Sequence, residues 1–167
     1  MSDEDSRPDR NQRTAGQVVR EYLALRREWE ISTAERATGW KRGELVDPDR
    51  VGAPDDEELE RAWSELHHLR EEWCTPAAVA RLHARASFGT TSEFNPDGLV
   101  VLSLHPVSDQ EVRLQTREYP YAQYPPVEDD LVLATEYDYV IRLVDGAWRL
   151  DQRSSAGMGS KVIRDLL

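Results

Sequence analysis

The sequence predicts an α+β domain, with N-terminal helices packed on one face of a curved antiparallel sheet formed by the C-terminal half. Three observations carry this reading. Apolar residues recur at helical spacing as far as Arg85. Beyond Arg85 the pattern turns to alternation and short apolar runs. Within residues 135–153, TEYDYVIRLVDGAWRLDQR, Asp145-Gly146 separates two alternating runs. Asp-Gly marks a two-residue hairpin turn because both positions need φ > 0, which Asp tolerates and Gly adopts freely.

Residues 1–13 have almost nothing to bury and are expected to be disordered. Thr14-x-x-Gln17 has the form of a capping box and opens the first helix. Val18, Tyr22, Leu25 and Trp29 follow as one stripe. Residues 32–38 extend this helix or start a second piece, and Gly39 is a stop signal. A loop rich in Gly, Pro and Asp runs to Pro54. A second helix is expected from Asp55, where Asp55, Asp56, Glu57 and Glu58 suit the positive end of the helix dipole. Its apolar side is Leu59, Trp63, Leu66 and Trp73, flanked by Ala62 and Leu69, and two tryptophans imply a deep groove. Thr75-Pro76 reads as an N-cap followed by proline at the first position of a short third helix, with Val79, Leu82 and Ala86 inward.

A strand is expected over 86–94, closed by the turn Asn95-Pro96-Asp97-Gly98. Residues 99–104 form a nearly continuous apolar strand, and 111–118 alternate with Val112, Leu114 and Thr116 on one side. Residues 119–130 contain Pro120, Pro125 and Pro126, which strand pairing cannot cross. Leu131 is expected to start the strand that leads into the hairpin. The turn sets Leu143 opposite Trp148, Ile141 opposite Leu150 and Tyr139 opposite Gln152. Tyr137, Tyr139, Ile141, Leu143, Trp148 and Leu150 then face inward. Asp138, Arg142, Arg149, Asp151 and Arg153 face outward, with Asp138 opposite Arg153. The like-charged pair Arg142 and Arg149 requires a carboxylate nearby. Residues 14–153 read as a single domain and 154–167 as a flexible or docked tail.

The 167 residues suit one ordinary core. Charged residues make up 32% of the chain and the net charge is −11, a balance that repels a nucleic-acid backbone and attracts a basic partner. No apolar run is long enough to cross a bilayer, and residues 1–13 contain no apolar segment of the signal-peptide kind. The single cysteine, Cys74, forms no internal disulfide, which fits a cytoplasmic, reducing compartment.

Candidate chemistry is sparse. His67, His68, His83 and His105 lack the spacing of a metal site, and no metal or cofactor is expected. No phosphate-binding glycine loop or nucleophile motif is present. Tyr137 and Tyr139 face inward as packing groups, because Asp138 and Asp151 point away from them and leave no acid–base pair. Cys74 reads as a small buried hydrophobe. Tyr119, Tyr121 and Tyr124 have the composition of a binding loop. They equally fit a proline-stiffened cover over the sheet edge. With Glu128, Asp129 and Asp130 nearby, and Arg142 and Arg149 on the exposed sheet face, they make up the candidate partner-contact region.

Several of these features together resemble a known family. Trp29-Glu30, Trp73-Cys74-Thr75, Phe94-Asn95-Pro96, Tyr137-Asp138-Tyr139 and Gly146-Ala147-Trp148-Arg149-Leu150-Asp151 resemble the nuclear transport factor two-like fold over residues 18–153. Within that fold, they are most similar to the immunity proteins of bacterial polymorphic toxin systems. The resemblance implies a cone-like fold and a cytoplasmic, non-enzymatic protein. Such a protein binds and neutralises a co-encoded toxin domain, often a basic nuclease, and itself binds neither nucleic acid nor membrane. A homodimer is a further expectation. The alternative implied by the same fold is a small-molecule binder, or a lyase or isomerase, using the cone pocket.

Overall fold

A computed structural model describes residues 13–44, 55–86, 88–89, 91–120, 134–155 and 167. Both halves of the expected capping box are formed at the first helix. The Gln17 amide donates to Thr14 Oγ1 at 3.3 Å, and the Thr14 amide donates to Gln17 Oε1 at 2.8 Å. The helix that follows, α1 (Ala15–Thr38), is unbroken, so residues 32–38 extend it. It stops at Gly39, whose φ of 72° is left-handed and whose amide donates back to the Glu35 carbonyl. The expected stripe needs one correction. Val18, Tyr22 and Trp29 are buried, but Leu25 is 39% exposed. Val19, Leu23, Arg26 and Glu30 are buried as well. At 3.6 residues per turn the buried arc is therefore centred between Val18 and Val19, which leaves Leu25 at its rim.

The second helix, α2 (Asp56–Trp73), is capped by the Asp55 side chain, which accepts from the Glu57 amide. Ala62, Leu66, Arg70 and Trp73 form its buried face. Trp63 is only half-buried, and the Arg85 guanidinium covers its ring at 4.5 Å. The expected groove thus takes one tryptophan rather than two. Helices α1 and α2 meet where Trp29 Nε1 donates to the Ala62 carbonyl at 2.8 Å. The third helix, α3 (Pro76–Arg81), starts as expected, with Thr75 Oγ1 accepting from the Ala78 amide at 3.1 Å. Ala78 is its buried residue. Ala86 lies beyond the end of the helix and packs near Trp29 and Leu66.

The strand expected over 86–94 does not form among the described residues there. Between 87 and 94 only Phe88 and Phe94 are apolar, and Gly89 interrupts the run. Asn95 instead caps a 3-10 turn, Pro96–Gly98. Among the described residues four strands follow: β1 (Leu99–Ser108), β2 (Glu111–Glu118), β3 (Thr135–Val144) and β4 (Ala147–Ser155). They pair antiparallel in chain order as one open sheet. Leu131 lies outside the described residues. Val112, Leu114 and Thr116 are all buried, as the alternation predicted. Both α1 and α3 pack against β4. Strand β1 is the opposite edge of the sheet, and only Leu99 of its residues is buried.

The hairpin turn is as read, with φ of 50° at Asp145 and 78° at Gly146. Leu143 faces Trp148, Arg142 faces Arg149 and Ile141 faces Leu150. Beyond that point the expected register fails. Asp151 is an extra residue on β4, so Val140 faces Gln152, Tyr139 faces Arg153 and Asp138 faces Ser154. Because a one-residue shift exchanges faces, Arg153 turns inward and is fully buried. The cause lies in how Asp151 is held. Thr75 Oγ1 donates to it at 2.6 Å and Arg142 Nε at 3.0 Å, while the Thr75 amide donates to the Leu150 carbonyl at 2.8 Å. These bonds fix Leu150 and Asp151 to the start of α3.

Candidate functional site

The bulge at Asp151 builds a polar cluster inside the sheet. Arg153 Nε donates to the Tyr139 hydroxyl at 2.9 Å, and Arg153 Nη2 donates to Glu118 Oε1 at 3.1 Å. The Tyr139 hydroxyl donates to Glu118 Oε2 at 2.8 Å, and Thr116 Oγ1 donates to the same oxygen at 2.5 Å. Arg153, Glu118, Tyr139 and Thr116 are each 0–1% exposed. Tyr137 lies under the Arg153 guanidinium, 3.7 Å from its ring centroid. Burial opposes the Arg153 charge, but Tyr139, Glu118 and Glu93 outweigh it and hold the pKa above the ordinary arginine value. Burial pushes the Tyr139 hydroxyl well above its ordinary value, although Arg153 works the other way. A phenol in that state stays protonated and serves as a hydrogen-bond donor, not as a base.

The cluster reaches solvent through Glu93. Its carboxylate accepts from Arg153 Nη1 at 3.2 Å and from the Tyr137 hydroxyl at 3.3 Å, and its side chain is 46% exposed. Glu93 lines an open hollow of about 390 Å³ with Glu30, Phe88, Gly89 and Thr91. Glu30 is buried, and burial raises its pKa despite a hydrogen bond with Ser92 and the nearby Arg26 charge. Arg26 Nη2 is 3.8 Å from Glu30, and its guanidinium lies 4.4 Å from the Phe94 ring and 4.9 Å from that of Trp29. Its Nε and Nη1 have no hydrogen-bond partner among the described residues. Burial lowers its pKa, partly offset by Tyr22 and Glu30. The cavity beside Trp73 and Trp148 is much smaller, about 20 Å³, room for roughly one water.

The expected contact residues are only partly brought together. Tyr119 is 42% exposed at the end of β2, and its carbonyl accepts from Asn95 Nδ2 at 3.0 Å. Gly98 makes this close approach possible, since a Cβ there would stand 2.7 Å from the Tyr119 carbonyl oxygen. Arg142 lies on the exposed sheet face between two carboxylates, 2.9 Å from Glu111 and 3.0 Å from Asp151. These are the carboxylates that the Arg142–Arg149 pair required. Arg149 is half-buried, and its Nη1 donates to the Glu71 carbonyl near the end of α2, at 3.2 Å. Its charge is thus spent on a helix C-terminus. Tyr121, Tyr124, Glu128, Asp129 and Asp130 lie outside the described residues.

His67 and His68 both approach Glu71, at 3.2 and 3.3 Å, on the exposed side of α2. Among the described residues no three His, Cys, Asp or Glu side chains form a metal-binding group. No helix among them is long and apolar enough to cross a membrane. Cys74 is buried in the core.

The residues that alternation alone did not reveal are Arg153 and Glu93. Glu118 was legible, since it stands two positions beyond Thr116 on the inward side of β2. The architecture is of the α+β class, helices on an open antiparallel sheet. No family model, curated protein or solved structure matches the chain.

Proposed function

We propose that this protein is a non-enzymatic immunity protein that binds a co-encoded polymorphic toxin in the cytoplasm and neutralises it by occlusion. The observation that carries the reading is the buried polar cluster. Tyr139, Glu118, Arg153 and Thr116 hydrogen-bond to one another at 0–1% exposure, and the cluster meets solvent through Glu93, so most of its polar atoms are turned inward. The working surface is then the exterior. With a net charge of −11, that exterior attracts a basic partner such as a nuclease domain, and electrostatic complementarity speeds such encounters. The resemblance carried by Trp29-Glu30, Trp73-Cys74-Thr75 and the terminal hairpin points the same way. Co-expression with the toxin domain encoded next to this gene tests it. Restored growth and a complex that co-purifies are expected, and the absence of both would remove the proposal.

A second reading is favoured by the hollow between Glu30 and Glu93. Two carboxylates and the Phe88 ring there suit a small molecule that offers hydrogen-bond donors. A lyase or isomerase would use Glu30, whose raised pKa suits proton transfer. A panel of small amines and guanidines tests this reading by thermal unfolding. A ligand of the hollow raises the unfolding temperature of the wild type and loses that effect in Glu30→Gln. No shift with any member of the panel counts against the reading.

A further inference from the structure

We propose that Arg70 and Tyr22 form a buried binding site for a small carboxylate with a branched aliphatic tail, and that Leu167 of this chain is seated in it. Arg70 lies on α2 at 6% exposure. Its Nη1 donates to the His83 carbonyl at 2.6 Å, and its Nη2 donates to the main-chain oxygen of Leu167 at 2.8 Å. Leu167 is 2% exposed and belongs to the same apolar core as Tyr22, Leu23 and Cys74. The site therefore already grips an oxygen acceptor that carries an isobutyl group beside it.

Donors outnumber acceptors here. The Tyr22 hydroxyl, Arg70 Nε, and Arg26 Nε and Nη1 are buried with no hydrogen-bond partner among the described residues. Buried donors left unpaired are costly and call for an acceptor. Tyr22 is fully buried, and burial pushes its hydroxyl well above the ordinary value, so it stays a donor. Tyr22 and Arg26 lie one turn apart on α1, and both sense the Arg70 charge. Two buried guanidiniums thus share this region with one carboxylate, Glu30, which is 3.8 Å from Arg26. Among the described residues Arg70 itself meets main-chain oxygens and no side-chain carboxylate. The local balance is positive inside a chain of net charge −11. Guanidinium and tyrosyl hydroxyl donors together select a group that only accepts, and an ionised carboxylate is that group. It brings a second oxygen and a negative charge, neither of which a carbonyl supplies.

Thermal unfolding of the full chain tests the site. Leu167→Ala removes the isobutyl group, and 4-methylpentanoate is the probe because it carries that group and a carboxylate. The probe should raise the unfolding temperature of Leu167→Ala and leave the wild type, where Leu167 competes, almost unchanged. The neutral 4-methylpentanamide has the same shape and should bind about tenfold or more weakly, because hydrogen bonds between charged partners are the stronger kind. In the Leu167→Ala background, Tyr22→Phe should weaken binding of the probe about threefold to tenfold, the worth of one hydrogen bond. Arg70→Gln in that background should abolish the effect, and Tyr22→Phe, the milder change, decides if Arg70→Gln does not fold. Circular dichroism checks folding, and Leu167→Val, one methylene shorter, replaces Leu167→Ala if that variant does not fold. No response in the folded Leu167 variant, an equal response in the wild type or to the amide, or a response untouched by the Arg70 and Tyr22 changes would overturn the proposal. Any of these results leaves the toxin reading intact, because that reading rests on the charged exterior and not on this buried site.

Discussion

Arg153 shows how much one side chain can decide. It is a fully buried cation whose partners, Glu118, Tyr139 and Glu93, all come from other segments. Removing one member of such a cluster leaves the others desolvated and uncompensated. Arg153→Ala is therefore expected to cost about 3–5 kcal/mol of unfolding free energy. Tyr139→Phe keeps the ion pair and removes one hydroxyl, so its cost is expected to be about 1–3 kcal/mol. Urea unfolding of both variants measures this, and equal, small losses would contradict the cluster as described. The sequence carried half of the signal. Glu118 extends the alternation of Val112, Leu114 and Thr116. Arg153 was placed on the outward face opposite Asp138, wrongly, because the turn register was carried past Asp151 and neither Gln152 nor Arg153 is apolar enough to reveal the extra residue.

At the scale of elements, capping chemistry and turn chemistry were legible, and long-range tethers were not. Thr14, Asp55, Thr75 and Gly39 act locally, so their roles follow from sequence. The Asp145-Gly146 turn likewise sets its near register. The bulge at Asp151 depends on Thr75, 76 positions away in sequence, and no local pattern announces it. The strand misread over 86–94 failed for the opposite reason, since its alternation was too poor in apolar residues to pair. The role of Asp151 leads to a pH prediction. Burial tends to raise its pKa, but the hydrogen bonds from Thr75 and Arg142 prevail and hold it below the ordinary 3.8. A carboxylate with a depressed folded pKa adds stability above its unfolded pKa and loses it as pH falls through the folded one. The stability gap between wild type and Asp151→Asn should thus be widest at neutral pH and shrink below about pH 4. Urea midpoints across that range check it, and a gap that widens with acid would contradict the tether.

At the scale of the whole molecule, two kinds of surface are set apart. One is the acidic exterior, including Arg142 held between Glu111 and Asp151. The other is the uncharged edge β1. Helix order, the terminal hairpin and overall charge were readable from the chain, while the strand expected over 86–94 did not form among the described residues and the order of the sheet was not set by the sequence reading. The exposure of β1 was not, because a continuous apolar run reads as an interior strand until the layer above it is seen. Contact through opposite charges weakens as ions are added. The most direct test of the proposed function is a titration of this protein into any purified toxin domain found encoded beside it, at low and high salt, following toxin activity. The account predicts stoichiometric loss of activity, with affinity falling as salt rises. Undiminished toxin activity in the presence of excess protein would contradict it.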